Sequence, residues 1–195
     1  MSQTFSGYEN HGPGGHPLEV FNCFPYYSGM EKIAAYWIKK LALEPHPEGG
    51  YYRETYRSTE SIPRAGLPNR FSAERNFSTA IYFLLESHHR SHFHRIKSDE
   101  LWHYHAGGPL AIYIIESSQL TVKVLGPDPD KNESLQHFVP ANCWFGAMCL
   151  DNNSYTLAGC TVAPGFDFAD FELADRSDLL RTFPAHSDII TALTT

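Results

Sequence analysis

The stretch His92-Phe93-His94-Arg95-Ile96-Lys97-Ser98-Asp99-Glu100-Leu101-Trp102-His103-Tyr104-His105-Ala106-Gly107 decides how this chain is read. It is the core of a histidine-rich region: six of the 11 histidines fall between His88 and His105. Two strands are predicted here, over 91–96 and 101–105, and strand side chains alternate between faces. His92, His94 and Ile96 then share one face, and Ser91, Phe93 and Arg95 the other. Trp102 and Tyr104 share a face, which Glu100 joins if the strand begins one residue earlier; Leu101, His103 and His105 point oppositely. If both strands line one cavity, His92, His94, Glu100 and Tyr104 converge. Two imidazoles and a carboxylate suit an open divalent-metal site. They suit equally an acid–base group without metal. The plainer alternative is a His-x-His strand facing solvent.

On either side the texture is that of short strands. Candidates lie at 51–56, 79–85, 110–115, 120–125, 135–139, 143–148 and 155–163. Turn residues divide them, among them Gly107-Gly108-Pro109, Ser117-Ser118, Gly126-Pro127-Asp128-Pro129-Asp130 and Asp151-Asn152-Asn153. Many short strands with regular turn signals predict an all-β sandwich or barrel. One helix precedes them. Ser28 and Glu31 fit a capping box, and Ile33, Ala34, Trp37, Ile38 and Leu41 form one apolar stripe at helical spacing. The helix is expected to stop before Pro45. Residues 58–72, with Pro63, Gly66 and Pro68, read as a loop, and two short helices are expected near 175–183 and 186–193, divided by Pro184. Residues 1–29 are rich in Gly, Pro and Ser without an apolar period, and read as a flexible arm ahead of a single domain over 30–195.

A chain of 195 residues suits one domain, and 42% hydrophobic with 19% charged residues is ordinary globular content. The net charge of −7 argues against a nucleic-acid partner, because phosphate contacts need a basic face. No apolar run is long enough to span a membrane, and the start MSQTFSGYENHGPGG has neither a basic opening nor an apolar core, so no secretory signal is expected. Cys23, Cys143, Cys149 and Cys160 match neither a zinc ribbon nor a Cys-x-x-Cys pair and read as reduced thiols, which points to the cytoplasm.

The stretch from His92 to Gly107 resembles the first cupin motif. It has the His-x-His pair and six residues between Glu100 and Gly107, although five residues separate His94 from Glu100, one more than the usual maximum. Longer stretches resemble one branch, the fifth cupin family: His46-Pro47-Glu48-Gly49-Gly50 with Tyr51-Tyr52-Arg53-Glu54-Thr55-Tyr56-Arg57; Ser78-Thr79-Ala80-Ile81-Tyr82-Phe83-Leu84-Leu85; Phe93 to His103; and Val162-Ala163-Pro164-Gly165-Phe166-Asp167-Phe168. The resemblance spans roughly residues 30–185. It implies a double-stranded β-helix, or jelly-roll barrel, with an N-terminal helix and short C-terminal helices, usually dimeric, with a pocket inside. The second cupin motif, Pro-x-Gly-x-x-His, is altered. In Pro140-Ala141-Asn142-Cys143-Trp144-Phe145, Asn142 stands at the glycine and Phe145 at the histidine. Asn tolerates a left-handed turn, but Phe cannot bind a metal. A metal held by His92, His94 and Glu100 therefore lacks a ligand, and the expectation is either no required cofactor or one weakly bound divalent ion.

Gly49-Gly50 permits unusual dihedrals and close approach of a ligand. By alternation Tyr52, Glu54 and Tyr56 share one face, and Tyr51, Arg53 and Thr55 the other. The segment is similar to a stretch of metal-independent nucleotide-sugar epimerases, also cupins, in which such residues help hold the substrate. Arg53 suits bidentate phosphate contact, or belongs with Glu54 to a surface ion-pair ladder. The expected ligand contacts are Tyr52, Arg53, Glu54, Trp102 and Phe166. The reading chosen is a sugar phosphate or nucleotide-sugar isomerase or epimerase. It takes His94 as base, Tyr104 or Lys97 as acid, and Glu100 as the residue that orients His94 or holds a weak metal. A non-catalytic binder of a sugar- or nucleotide-like molecule and a metal-dependent dioxygenase are the alternatives.

Overall fold

The computed structural model describes residues 33–195; the capping box at Ser28 and the arm over 1–29 lie outside the described residues. Helix α1 (Ala34–Leu41) ends where Ala42 turns left-handed at φ 50° and donates to Ile38 O and Lys39 O. That turn stops the helix before the proline at 45 is reached. The chain continues into β1 (Glu44–Pro45), β2 (Tyr51–Arg57), β3 (Ser61–Ile62), β4 (Arg75–Asn76), β5 (Thr79–Glu86), β6 (Ser91–Arg95) and β7 (Asp99–Gly107). Next come β8 (Leu110–Glu116), β9 (Gln119–Leu125), β10 (Gln136–Val139), β11 (Trp144–Cys149), β12 (Tyr155–Ala163) and β13 (Glu172–Leu173), then α2 (Arg176–Thr182) and α3 (Ser187–Ala192). The expected loop over 58–72 holds the short β3.

The strands form an antiparallel six-stranded sheet in the order β1-β2-β5-β12-β7-β10 and a five-stranded sheet in the order β13-β6-β11-β8-β9. Their inner faces make one core, with Phe83, Leu85 and Trp102 from the first sheet against Ile112, Ile114 and Phe145 from the second. Each outer face has its own helical cover. Trp37, Ile38 and Leu41 of α1 pack over Leu84 and Leu157. Leu179 and Ile190 of the C-terminal helices, with Leu193, pack over Phe93 and Ile115. Both covers follow from alternation: a strand whose two faces are both buried is apolar on both, as Phe83-Leu84-Leu85 is.

Three bulges break that alternation. Opposite β5, Glu54 pairs with Ile81 but Tyr56 with Ala80, so Thr55 is an extra residue. Opposite β11, His94 pairs with Phe145 and Ser91 with Ala147, three steps against two. Opposite β12, Tyr104 pairs with Ala158 and Ala106 with Leu157, leaving His105 as the extra residue. A bulge puts two residues opposite one and reverses the facing beyond it. Gly146 permits the one in β6, since a Cβ there would lie 2.8 Å from Ser91 O and 3.2 Å from Phe93 N. Asn142 adopts the left-handed conformation expected of it, φ 64°, and donates its N–H to Ile96 O.

Candidate functional site

A cavity of about 330 Å³ opens inside the barrel. Its walls are Ile81, Phe83, Ile96, Trp102, Val162, Phe166 and Phe171, and its polar groups are His46, Glu48, His94, Glu100 and Cys160, with Glu44, Glu54, Arg57 and Asp167 also lining it. Of the residues expected from the sequence, the structure brings His94, Glu100, Tyr52, Glu54, Trp102 and Phe166 to this cavity.

The others lie elsewhere. His92 is displaced by the β6 bulge: Ser91 and His94 both reach Glu48, and His92 is not among the lining residues. Lys97 follows the end of β6 and pairs with Asp170 at 3.2 Å. Tyr104 donates its hydroxyl to Gly107 O at the end of its own strand, outside the cavity lining. Arg53 bonds Leu41 O on the outer face, as odd positions before the bulge must. After the bulge Arg57, not Tyr56, reaches the cavity; Tyr56 is 53% exposed. Lys97 and Tyr104 are therefore not placed to act as the acid, nor Arg53 to hold a ligand.

Glu48 is the residue that sequence reasoning missed. It sits in the loop before β2, where no alternation rule applies. The loop is shaped by Gly49 (φ 113°), where a Cβ would collide with Arg90 O at 2.0 Å. The signal available was an acidic residue wedged between a proline and two glycines. Glu48 is 5% exposed; its Oε1 accepts from Ser91 Oγ at 2.8 Å, and its Oε2 lies 3.0 Å from His94 Nε2 and 3.5 Å from His46 Nδ1.

The hydrogen bonds fix the protons. A carbonyl only accepts, so His94 Nδ1, 2.7 Å from His92 O, carries hydrogen. One further proton lies between Nε2 and Glu48. Burial holds His94 down at about 4 and pushes Glu48 up, so the neutral arrangement, Glu48 O–H donating to Nε2, is the stable one. Burial pushes Glu100 up to about 8, and ionisation of Glu48 would push it the same way. Burial and then Glu100 push the neighbouring Cys160 thiol well above its ordinary range. Burial thus favours the neutral form of both carboxyl groups. With both ring nitrogens engaged, His94 is placed as a relay behind Glu48 rather than as a free base.

The lining does not fit the metal site expected of the fold. His92, His94 and Glu100 do not bring three ligand atoms within 4.8 Å of one another. The Phe145 ring packs 4.1 Å from the His94 ring, a hydrocarbon where the second motif would offer an imidazole. At the cavity's edge Arg57 is the one lysine or arginine among the lining residues, and it is already engaged. It forms a two-bond fork with Glu54 and bonds Asn76 Oδ1 and Phe166 O. The Trp102 indole N–H is buried without a partner among the described residues.

Two antiparallel sheets closed around a lined cavity, with His94 of the His-x-His strand turned into it, define a cupin. The chain belongs to the family described as Cupin superfamily (DUF985), which matches residues 35–174. A protein from Shewanella oneidensis of known structure is 40% identical, with a TM-score of 0.76, covering 84% of this chain and 98% of that one. A hypothetical protein from Leishmania major is 35% identical, with a TM-score of 0.75, covering 83% of this chain and 98% of its own. An uncharacterized protein of Saccharomyces cerevisiae is 29% identical over 153 residues, 74% of this chain and 76% of its own. Among the described residues no helix is long and apolar enough to cross a membrane.

Proposed function

We propose that the chain is a cupin-fold isomerase or epimerase that moves a proton next to a carbonyl on a small sugar-like substrate. The observation that carries this is one apolar cavity holding two buried carboxyl groups on separate segments, Glu48 and Glu100, with shifted proton affinities. Perturbed titratable groups converging in a cleft are a mark of acid–base sites. In its ionised form Glu100, at about 8, is a well-matched base for a carbon-bound proton. Glu48 is the acid: its proton leaves the bond to His94 Nε2 for the carbonyl oxygen, and the carboxylate left behind still accepts from Ser91 Oγ. Return of the protons to the neighbouring carbon or the opposite face gives the isomer, with no net oxidation.

The lining argues for an uncharged substrate. Glu44, Glu54 and Asp167 line the cavity with Arg57, which is engaged by Glu54, Asn76 and Phe166, so a phosphate meets acidic groups and no unengaged cation among the lining residues. The Trp102 N–H awaits an acceptor.

The test is deuterium wash-in. Free aldoses and ketoses, and their phosphates, are incubated with the protein in D₂O and followed by NMR. Exchange at the carbon beside the carbonyl of an unphosphorylated sugar, lost in Glu100→Gln, is expected. No exchange with any sugar overturns the reading. A non-catalytic binder is the second reading, favoured by the engagement of both His94 nitrogens; thermal stabilisation by a sugar without exchange would establish it.

A further inference from the structure

Outside the barrel, the turn joining β5 to β6 carries Glu86-Ser87-His88-His89-Arg90. His89 N–H donates to Glu86 O at 2.9 Å, so residues 86–89 close a β-turn that brings its first, third and fourth side chains together. One carboxylate oxygen of Glu86 and one ring nitrogen each of His88 and His89 lie within 4.8 Å of one another, the one such group among the described residues. We propose that Glu86, His88 and His89 bind one divalent transition-metal ion of the zinc type, separate from the barrel cavity.

The donor chemistry selects the ion. Two imidazoles and one carboxylate suit zinc, copper, nickel or cobalt, whereas calcium and magnesium take oxygen ligands. Three protein donors leave one tetrahedral position for water.

The spacing is right for shared coordination and wrong for a direct bond. His89 Nδ1 is 3.6 Å from Glu86 Oε2, beyond hydrogen-bond length. Two donors on one tetrahedral ion at ~2.0–2.1 Å stand about 3.3 Å apart. His89 Nδ1 is also a buried nitrogen without a hydrogen-bond partner, an arrangement that a metal ion would relieve.

The turn is held before any ion arrives. Ser87 N–H donates to Ser154 O, Arg90 Nη1 donates to Ser87 O and His89 O, and Tyr51 packs edge-on against the His89 ring at 5.6 Å. The two imidazole rings lie 4.1 Å apart, and His88 is the exposed member, free to swing the remaining distance. Arg90 is the one cation in this turn, and its guanidinium is spent on carbonyls rather than on Glu86.

The experiment is calorimetric titration of the full chain with Zn²⁺ near pH 7.5, with Co²⁺ absorption as a second readout. One ion per chain is expected. Glu86→Ala, His88→Ala and His89→Ala are each expected to weaken it at least about ten-fold, since loss even of an outer-shell partner typically costs that much. His103→Ala, on the six-stranded sheet, is expected to leave the titration unchanged. Co²⁺ is expected to give the intense visible bands of four-coordination in the parent chain and in His103→Ala, and not in His88→Ala. His88 is exposed, so its substitution decides the matter even if His89→Ala fails to fold. A chain that takes no zinc, or a His88→Ala variant that titrates like its parent, overturns the proposal.

Discussion

His94 lies between two aromatic rings, Phe145 at 4.1 Å and Phe171 at 5.4 Å, with a carbonyl on one nitrogen and a carboxyl group on the other. Such a position keeps the ring neutral, and it sets a pH signature. A buried histidine whose affinity falls from 6.5 to about 4 destabilises the fold as pH drops between those values. A buried Glu100 raised from 4.5 to about 8 destabilises it as pH rises between those values, because the unfolded chain gives up the proton first. The His94 and Glu100 slopes oppose each other below pH 6.5; above it the Glu100 slope continues to about 8, and the raised Glu48 adds to it with the same sign. Urea unfolding is therefore expected to show stability falling over that upper interval, with Glu100 contributing at most ~1.4 kcal/mol per pH unit. Glu100→Gln is expected to lessen that slope. If the proposed chemistry holds, deuterium exchange rises over the same interval as Glu100 ionises, and Glu100→Gln lowers it about 10²–10⁴-fold. A pH-independent exchange rate would remove Glu100 from the role of base. Alternation placed His94, Glu100 and Trp102 on the cavity face, whereas Arg57 reaches that face, and Ser91 reaches Glu48, only because a bulge lies beside each. A bulge depends on the partner strand, and no local pattern reports it.

At the scale of elements, the segment between β12 and β13 walls the cavity with Phe166 and Phe171 and is held from behind. Arg75 of β4 grips Asp170 through Nε at 2.5 Å and Nη2 at 2.7 Å, and Lys97 adds a contact at 3.2 Å. The Arg75 and Asp170 side chains are 3% and 4% exposed, so removing one partner strands a buried charge. Arg75→Met is expected to cost about 3–5 kcal/mol in urea unfolding. Arg75→Met with Asp170→Leu is expected to recover most of that, since the uncompensated charge is then gone. Failure of the double variant to recover would show that the pair acts through geometry rather than charge. Gly146 holds β11 against the β6 bulge. Gly146→Ala forces backbone apart at 2.8 Å from Ser91 O and is expected to cost about 1–3 kcal/mol and to displace Ser91 from Glu48. A crystal structure of Gly146→Ala with the 2.8 Å bond intact would contradict this.

Across the whole molecule, the C-terminal helices complete the five-stranded sheet. Phe93 N–H donates to Leu193 O at 2.7 Å, Ala174 N–H donates to Phe93 O, and Leu193 and Ile190 are fully buried against the same strand. The residues after Asp175 thus cover the outer face of the strand whose inner face carries His94. Leu193→Ala is expected to cost about 2–5 kcal/mol, the range for truncating a buried leucine. Its effect on sugar binding, read by thermal shift, is expected to be small, because the face it opens is not the cavity's. A loss of binding as large as that of a cavity variant would join the two faces into one functional unit.

The sequence by itself determined β2 and β5 to β12 with their approximate ends, the single helix before them and the two after, but not the two-residue strands β1, β3, β4 and β13. Period, turn residues and apolar runs are local properties, and each is written in consecutive residues. It also determined that Phe145 removes a donor from the barrel, because a residue type alone excludes coordination. Only the tertiary structure decided which side chains share the cavity. Glu48 comes from a loop, Arg57 from beyond one bulge, His94 from beside another, and Phe171 from a segment that Arg75 anchors at Asp170. Each of these placements depends on pairings between residues far apart in the chain. The proton affinities follow from the same source, since desolvation is a property of the closed barrel and not of any stretch within it.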